Sequence, residues 1–384
     1  MTDARARAEE RTQLFRDLLK GKTPKRVPYS TAPAMEYVIQ YAGYDLEKTL
    51  WTLKDLDKIY DKFCAEFLSD TNPVGTYRLP TFYQILGSKA FVMGSGGFMQ
   101  HPEVVGLLPE EYDEFIASPY DCILNTILPR LYTALDAEPS QKALVLAKAY
   151  RAYLDDFGVI AAVRNKMHEK YGYAMLAAGF TIAPFDFIAD FPRSFSGISI
   201  DIRRRPEKVL EACEAVTPLL VKKGKLPPSV EYGYIMIPLH MAPYMREKDF
   251  EKFYWPTFKK LVEELSANGH NCYLFIEQDW MRYLDYLNDL PENTIMRFEF
   301  GDPKLVKEKV GKKHIVSGLY PITLLQTGTK EQCVDKAKEL MDILAPGGKY
   351  WFNYDKSVLT IDKEGRIADN LKAVTEYVYE NGKY

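Results

Sequence analysis

Cysteine is scarce in this sequence, and its spacing excludes two classes of protein. The five cysteines (Cys64, Cys122, Cys213, Cys272 and Cys333) lie far apart, and no Cys-x-x-Cys pair occurs. A disulfide framework uses more cysteines in a shorter chain, and a cysteine-rich zinc site uses closely spaced pairs. We therefore expect neither of them in this protein.

The sequence also lacks a long apolar run and an excess of positive charge. No stretch approaches the roughly 18 consecutive apolar residues of a membrane helix, and the opening segment MTDARARAEERTQLF is too charged for a signal peptide. The 50 basic and 53 acidic residues are interspersed and give a net charge of −3, without the basic stripe of nucleic-acid-binding proteins. We expect a cytoplasmic protein that binds neither membranes nor nucleic acid.

A Gly-x-Gly-x-x-Gly motif after the first strand is absent too, which counts against dinucleotide binding. The second half of the chain instead alternates short apolar runs with helical patterns. The predicted strands of this half are residues 232–239, 272–276, 294–300, 314–319 and 350–353. Such alternation predicts a parallel sheet. Together with earlier strand candidates at residues 26–31, 82–86 and 173–180, it predicts the α/β class and a closed (β/α)8 TIM barrel.

The 384 residues exceed the length of a typical domain, but α/β barrels often use this much chain as one unit. We therefore expect a single domain over residues 1–384, with the barrel itself over about residues 25–384. An N-terminal helix over residues 2–20 and a helical insertion over about residues 105–170 should pack outside the barrel.

Active sites of such barrels lie at the C-terminal ends of the strands. Three potential metal ligands follow three successive predicted strands, namely His240, Glu277 and Glu299. Two carboxylates and an imidazole suit a divalent metal such as zinc. Two further acids of the same ends, Asp279 and Asp355, are candidate catalytic residues. In the alternative interpretation, these polar side chains only bind loop backbone.

Four aromatic residues are candidates for binding a substrate. Phe98 ends the glycine-rich segment GSGGF, Phe185 lies in mid-chain, and Trp280 and Tyr350 stand beside predicted strand ends. The alternative is that Trp280 and Tyr350 fill the core and that the glycine-rich segment is a flexible turn.

The order of motifs along the chain resembles the uroporphyrinogen decarboxylase superfamily. TPKRVPYS (23–30) is similar to the segment that enters the first strand of the family, and GFTIAPFDFIADF (179–191) is similar to a mid-barrel segment. KDFEKFYWPTFKKLVEEL (248–265) is similar to a helix of the family, and residues 317–350 are similar to its C-terminal glycine-rich ending. The resemblance spans nearly the whole chain and implies the same barrel.

Within this superfamily, two branches fit the sequence poorly. Decarboxylases carry arginines after the first strand that bind porphyrinogen carboxylates, whereas residues 30–43 contain no arginine. Thiol-activating zinc methyltransferases carry a His-x-Cys pair, and here Phe275 and Glu277 stand at its two positions. Their distant cysteine falls near Asp355 or Lys356. The sequence therefore resembles the demethylase components of corrinoid-dependent O-demethylase systems.

That resemblance implies a metal-dependent methyltransferase. Zinc held by His240, Glu277 and Glu299 would be a hard Lewis acid that prefers an ether oxygen. The methyl group of a small methoxylated aromatic substrate would pass to the Co(I) of a corrinoid. Asp279 or Asp355 would serve as the proton donor or would hydrogen-bond to the metal ligands.

The corrinoid is expected on a separate partner protein, because the Asp-x-His-x-x-Gly motif of cobalamin-binding domains is absent here. Whether the chain forms a homodimer is open. Three alternatives stay open as well: a corrinoid methyltransferase for another methyl donor, a decarboxylase that needs no metal, and a binding protein without catalysis.

Overall fold

The structure, a computed structural model, describes residues 3–31, 33–76, 78–227, 230 and 232–384. Two short strands, β1 (Val92–Met93) and β2 (Met99–Gln100), form an antiparallel hairpin. Six further strands form one parallel sheet in chain order, namely β3 (Ala177–Phe180), β4 (Gly233–Leu239), β5 (Asn271–Ile276), β6 (Ile295–Phe298), β7 (Ile315–Gly318) and β8 (Tyr350–Trp351).

Two extended segments before the hairpin close this sheet into a barrel. Tyr29 bridges Phe352 just beyond β8, and Thr71 bridges Ala174 just before β3, both in parallel. The two segments also join each other, because the amide of Asp70 donates to the carbonyl oxygen of Tyr29 over 3.1 Å. The α/β class and the (β/α)8 barrel predicted from the sequence are confirmed.

One of the strand candidates is wrong. Residues 82–86 belong to the helix Pro80–Leu86, not to a strand. Pro80 favours the first helical turn because its fixed φ suits a helix and its missing N–H has no partner there. Gly87, at φ +62°, ends the helix. The second barrel position is taken by the short segment around Asp70 and Thr71 instead.

Side chains alternate between the inside and the outside of the barrel, as in any β-strand. The bottom of the interior is an apolar cluster of Tyr273, Ile295, Ile315 and Trp351, and Phe15 of the N-terminal helix packs against it. This helix closes the bottom of the barrel, so the interior opens at the C-terminal ends of the strands.

Helices surround the barrel. Those before the insertion are Asp3–Leu19, Met35–Tyr41, Leu46–Thr52, Leu56–Glu66 and Pro80–Leu86. Those of the insertion are Tyr112–Ala117, Pro119–Cys122, Leu128–Leu131 and Pro139–Tyr171, together with the π-helical turn Ile123–Ile127. Those after β3 are Pro184–Asp190, Phe195–Arg204, Pro206–Gly224, Glu247–Asp249, Trp255–Ser266, Leu284–Asn288, Pro303–Lys309, Ile322–Thr327, Lys330–Leu344 and Arg366–Asn381, with a π-helical segment at Phe250–Tyr254. Short 3-10 turns occur at Pro109–Glu111, Thr133–Leu135, Ala242–Tyr244 and Met281–Tyr283.

None of the helices in the described residues is both long enough and apolar enough to cross a membrane.

Candidate active site

Strand register places three of the predicted site residues side by side at the mouth of the barrel. Leu239 of β4 pairs with Ile276 of β5, which pairs with Phe298 of β6. The next residues along the three strands are His240, Glu277 and Glu299, so they stand at one level. Neighbouring strands lie about 4.8 Å apart, which brings adjacent members of this row within reach of each other.

His240 is held between two carboxylates. Its Nδ1 lies 2.7 Å from Oδ2 of Asp190, and its Nε2 lies 3.3 Å from Oε1 of Glu277. Burial would lower the pKa of His240, but the hydrogen bonds to Asp190 and Glu277 outweigh it and raise the pKa to about 11. At neutral pH the ring is therefore an imidazolium that still keeps 31 % of its side-chain surface exposed.

Asp186 fixes the backbone that carries His240. It is fully buried, and its carboxylate accepts hydrogen bonds from the amides of His240 (3.1 Å) and Met241 (2.9 Å) and from the hydroxyl of Tyr254 (2.6 Å). Burial raises the pKa of Asp186 to about 6, although the charge of His240 opposes this shift. Asp186 is thus a positioning residue for the turn after β4.

Glu299 has a different partner from the other two members of the row. Oε1 of Glu299 lies 2.5 Å from Nζ of Lys356, and Oε2 accepts the amide of Gln278 over 2.9 Å. Burial would raise the pKa of Glu299, but the bonds to Lys356 and to the Gln278 amide lower it overall. The mouth therefore holds two charge groups, one in which Asp190 and Glu277 flank His240 and one in which Lys356 pairs with Glu299.

The two other predicted acids differ in their surroundings. Asp355 is 6 % exposed and accepts the amides of Ile322 and Lys356, and burial raises its pKa. Asp279 is exposed, and its carboxylate accepts the amide of Met281 over 2.9 Å, which stabilises a loop turn. A side chain that is already engaged with its own loop is poorly placed to donate a proton inside the barrel.

The predicted substrate-binding aromatics are mostly placed elsewhere. Trp280 and Tyr350 are completely buried in the apolar core between the barrel and the surrounding helices. They do not line an open pocket, and this part of the prediction is corrected. Phe185 lines a surface cavity of about 250 Å³ together with Met241 and Tyr244. Phe98 is partly exposed beside strand β2 of the hairpin.

Other rings lie close to Asp190 instead. The ring of His101 stacks on Phe91 at 4.3 Å between centroids, and Phe191 lies 6.1 Å from His101. Burial lowers the pKa of His101, and its charge would interact with Asp190 and His240. Because Phe191 follows Asp190 directly, this set of rings forms one side of the mouth.

Asp186 and Asp190, which act on His240 from the helix Pro184–Asp190, were not predicted as site residues from the sequence. A signal for them exists in the segment PFDFIAD. Two aspartates four residues apart lie on the same face of a helix, and this helix begins at the mouth because it follows β3.

The zinc site predicted at His240, Glu277 and Glu299 does not fit these residues as they are arranged. Glu299 is bound to Lys356, and Nε2 of His240 points its proton at Glu277. Within the described ranges, no three side chains of His, Cys, Asp or Glu are grouped in a way that could hold a metal ion. Zinc stays a prediction from the sequence.

Comparison with known proteins agrees with this architecture. The family model for uroporphyrinogen decarboxylase (URO-D) matches residues 140–377. A methyltransferase from Methanosarcina mazei has a similar structure, with a TM-score of 0.63 and 15 % sequence identity over 97 % of this chain and 98 % of that chain. No curated protein is matched. The family match covers more than half of the sequence and confirms the resemblance found in its motifs. The chain therefore belongs to the uroporphyrinogen decarboxylase family.

Proposed function

We propose that this chain is a methyltransferase that removes the methyl group of a methoxylated aromatic compound and passes it to the Co(I) of a corrinoid on a partner protein. Family membership and the fold shared with a methyltransferase support the general class. The observation that carries the proposal is the imidazolium of His240, held at the barrel mouth between Asp190 and Glu277.

Breaking an aryl methyl ether leaves an electron pair on oxygen, and this charge must be stabilised. The methyl group moves to the nucleophile, the C–O bond electrons stay on oxygen, and a proton from Nε2 of His240 gives a neutral phenol. A phenol has a pKa of about 10, close to the value of about 11 for His240. Because the two values are nearly matched, the proton can be shared as the bond breaks.

The two carboxylates around His240 have separate roles. Asp190 binds Nδ1 and fixes the ring orientation, as an acidic partner does for many catalytic histidines. Glu277 faces Nε2, on the side from which a substrate oxygen would approach. Glu277 keeps the imidazolium charged before the substrate arrives and compensates its charge afterwards. Asp190 therefore holds the proton at Nδ1, and Glu277 holds the proton at Nε2 until it is transferred.

The surroundings of His240 suit one aromatic ring better than many carboxylates. The mouth contains five acids, Asp186, Asp190, Glu277, Glu299 and Asp355. Because these acids outnumber the cations of the mouth, a porphyrinogen with many negative charges would be repelled. The ring faces of His101 and Phe191, in contrast, offer stacking partners for an aromatic substrate. These features support demethylation over decarboxylation.

The proposal is tested by mixing the purified chain with reduced free cobalamin and a panel of methoxylated aromatic compounds. We expect methylcobalamin and the corresponding phenol to appear in equal amounts, measured by absorbance and by chromatography. Carbon dioxide released from aromatic carboxylates without formation of methylcobalamin would instead identify a decarboxylase. Methylation of cobalamin only from a methylamine or a halomethane would overturn the proposed donor class.

The zinc prediction has its own test. Zinc can bind His240, Glu277 and Glu299 together only if Lys356 leaves Glu299 and Nε2 loses its proton. We therefore expect zinc affinity to rise with pH and to increase at least about tenfold in Lys356→Met. Titration calorimetry with Lys312→Met as an exposed control checks this. Equal affinity in wild type and Lys356→Met would show that Glu299 is not a zinc ligand.

A further inference from the structure

A buried arginine lies one level below the row of His240, Glu277 and Glu299. Arg297 of β6 pairs in register with Phe275 of β5 and with Ser317 of β7. Phe275 and Arg297 lie two residues before Glu277 and Glu299, and Ser317 pairs with Arg297. Because side chains alternate along a strand, all three point into the barrel. The guanidinium lies over the ring of Phe275 at 5.0 Å from the centroid, which agrees with this direction.

The guanidinium of Arg297 has few partners for a buried cation. The residue is 8 % exposed, and Nε donates to the carbonyl oxygen of Tyr354 over 2.9 Å. In the part of the chain that the structure describes, Nη2 is buried without a hydrogen-bond partner, and so is Oγ of Ser317. Unpaired buried donors cost free energy, so this pair of residues is suited to a ligand that accepts hydrogen bonds.

Nearby acids do not fill this role. Glu299 and Asp355 are close enough for their charges to interact with that of Arg297. Neither acid forms an ion pair with Arg297 among the described residues; Glu299 is bound to Lys356 and Asp355 to backbone amides. One positive charge at this level therefore lacks a direct counter-ion.

The level of Arg297 can be reached from the mouth. Phe275 points into the barrel, yet it stays partly exposed, so solvent enters the interior down to this level. Two residues along a strand span about 6.6 Å. This is close to the distance between substituents on opposite sides of a benzene ring. His240 lies on β4 and Arg297 on β6, with β5 between them, and both side chains point into the same barrel interior. A ring with its methoxy oxygen at His240 can therefore direct a second substituent down the barrel towards Arg297.

We infer that Arg297 and Ser317 form a subsite for a carboxylate group on the aromatic ring of the substrate. This inference rests on the proposed function and narrows its substrate class to methoxylated aromatic acids. A carboxylate suits the site because it accepts two parallel hydrogen bonds from one guanidinium. The subsite orients the ring so that its methoxy group faces His240.

Binding of compounds without a methoxy group tests the subsite apart from methyl transfer. Benzoate and benzamide have nearly the same shape, but only benzoate carries a charge. We expect benzoate to bind wild type at least about tenfold more tightly than benzamide, because hydrogen bonds to charged groups are the stronger ones. Titration calorimetry near neutral pH measures both affinities. Equal affinities, tighter binding of benzamide, or no binding of either compound would overturn the subsite.

Two variants test whether Arg297 causes the preference for benzoate over benzamide. In Arg297→Met the preference for benzoate should fall to within about twofold, while Lys312→Met, an exposed cation at the other end of β7, should keep it. A preference retained in Arg297→Met would also overturn the subsite. Thermal unfolding of each variant in the presence of benzoate shows whether the variant is folded. If the wild-type chain showed the benzoate preference but no methyl transfer, the proposed function would be contradicted and the subsite would still be supported.

Discussion

Methyl transfer is expected to be about a thousandfold slower in His240→Gln than in wild type, because a general acid contributes two to four orders of magnitude. Glutamine keeps a polar side chain of similar reach but carries no proton that it can give away. The rate constant for formation of methylcobalamin under saturating substrate measures the effect. Substrate affinity should change little, because the loss falls on the transition state.

The dependence on the leaving group separates an acid from a structural residue. A substrate whose phenol has a low pKa needs little help from a proton, whereas one with a high pKa needs more. We therefore expect the defect of His240→Gln to grow with the pKa of the phenol. A defect of the same size for all substrates would assign His240 a structural role. The proposed function would then lose its proton donor.

Asp190→Asn should slow methyl transfer about a hundredfold and lower the pKa of His240. The substitution keeps the shape of the side chain but removes one of the three negative charges that raise the pKa of His240. Burial of the ring, which lowers its pKa, is then opposed less strongly. The rate should then fall as pH rises through the new, lower pKa of His240. A pH–rate profile measures this shift.

Asp335→Asn is the matched control for that variant, since Asp335 is exposed on the helix Lys330–Leu344. It should leave both the rate and the pH profile unchanged. If Asp190→Asn reduced the rate without moving the pH profile, Asp190 would contribute to folding of the mouth and not to the charge of His240.

The barrel was predictable because its second half repeats one simple pattern. Strands buried on both faces appear as short apolar runs, and β4 to β7 were recognised by them. The first two barrel positions carry less signal. The segment at Asp70 and Thr71 is too short to show any period, and the helix Pro80–Leu86 has an apolar composition that also fits a strand.

The site was predictable only to the level of single residues at strand ends. Register follows from parallel pairing, so His240, Glu277 and Glu299 could be expected at one level. The partner of each side chain depends on loops and helices distant in sequence. Lys356 lies 57 residues after Glu299, and Asp190 lies 50 residues before His240. Periodicity in the sequence does not indicate such pairs. The contacts of Lys356 with Glu299 and of Asp190 with His240 were therefore not predicted.

The proposed function depends above all on the protonation state of His240. The chain contains five histidines, and a spectrum of His240→Gln identifies the signals of this ring in nitrogen-15 NMR of the histidine-labelled protein. We expect imidazolium shifts at about pH 8 and a titration midpoint near 11 that falls in Asp190→Asn. A midpoint near the ordinary value of 6.5 would contradict it, because the ring would then be neutral and have no proton to share with the departing oxygen.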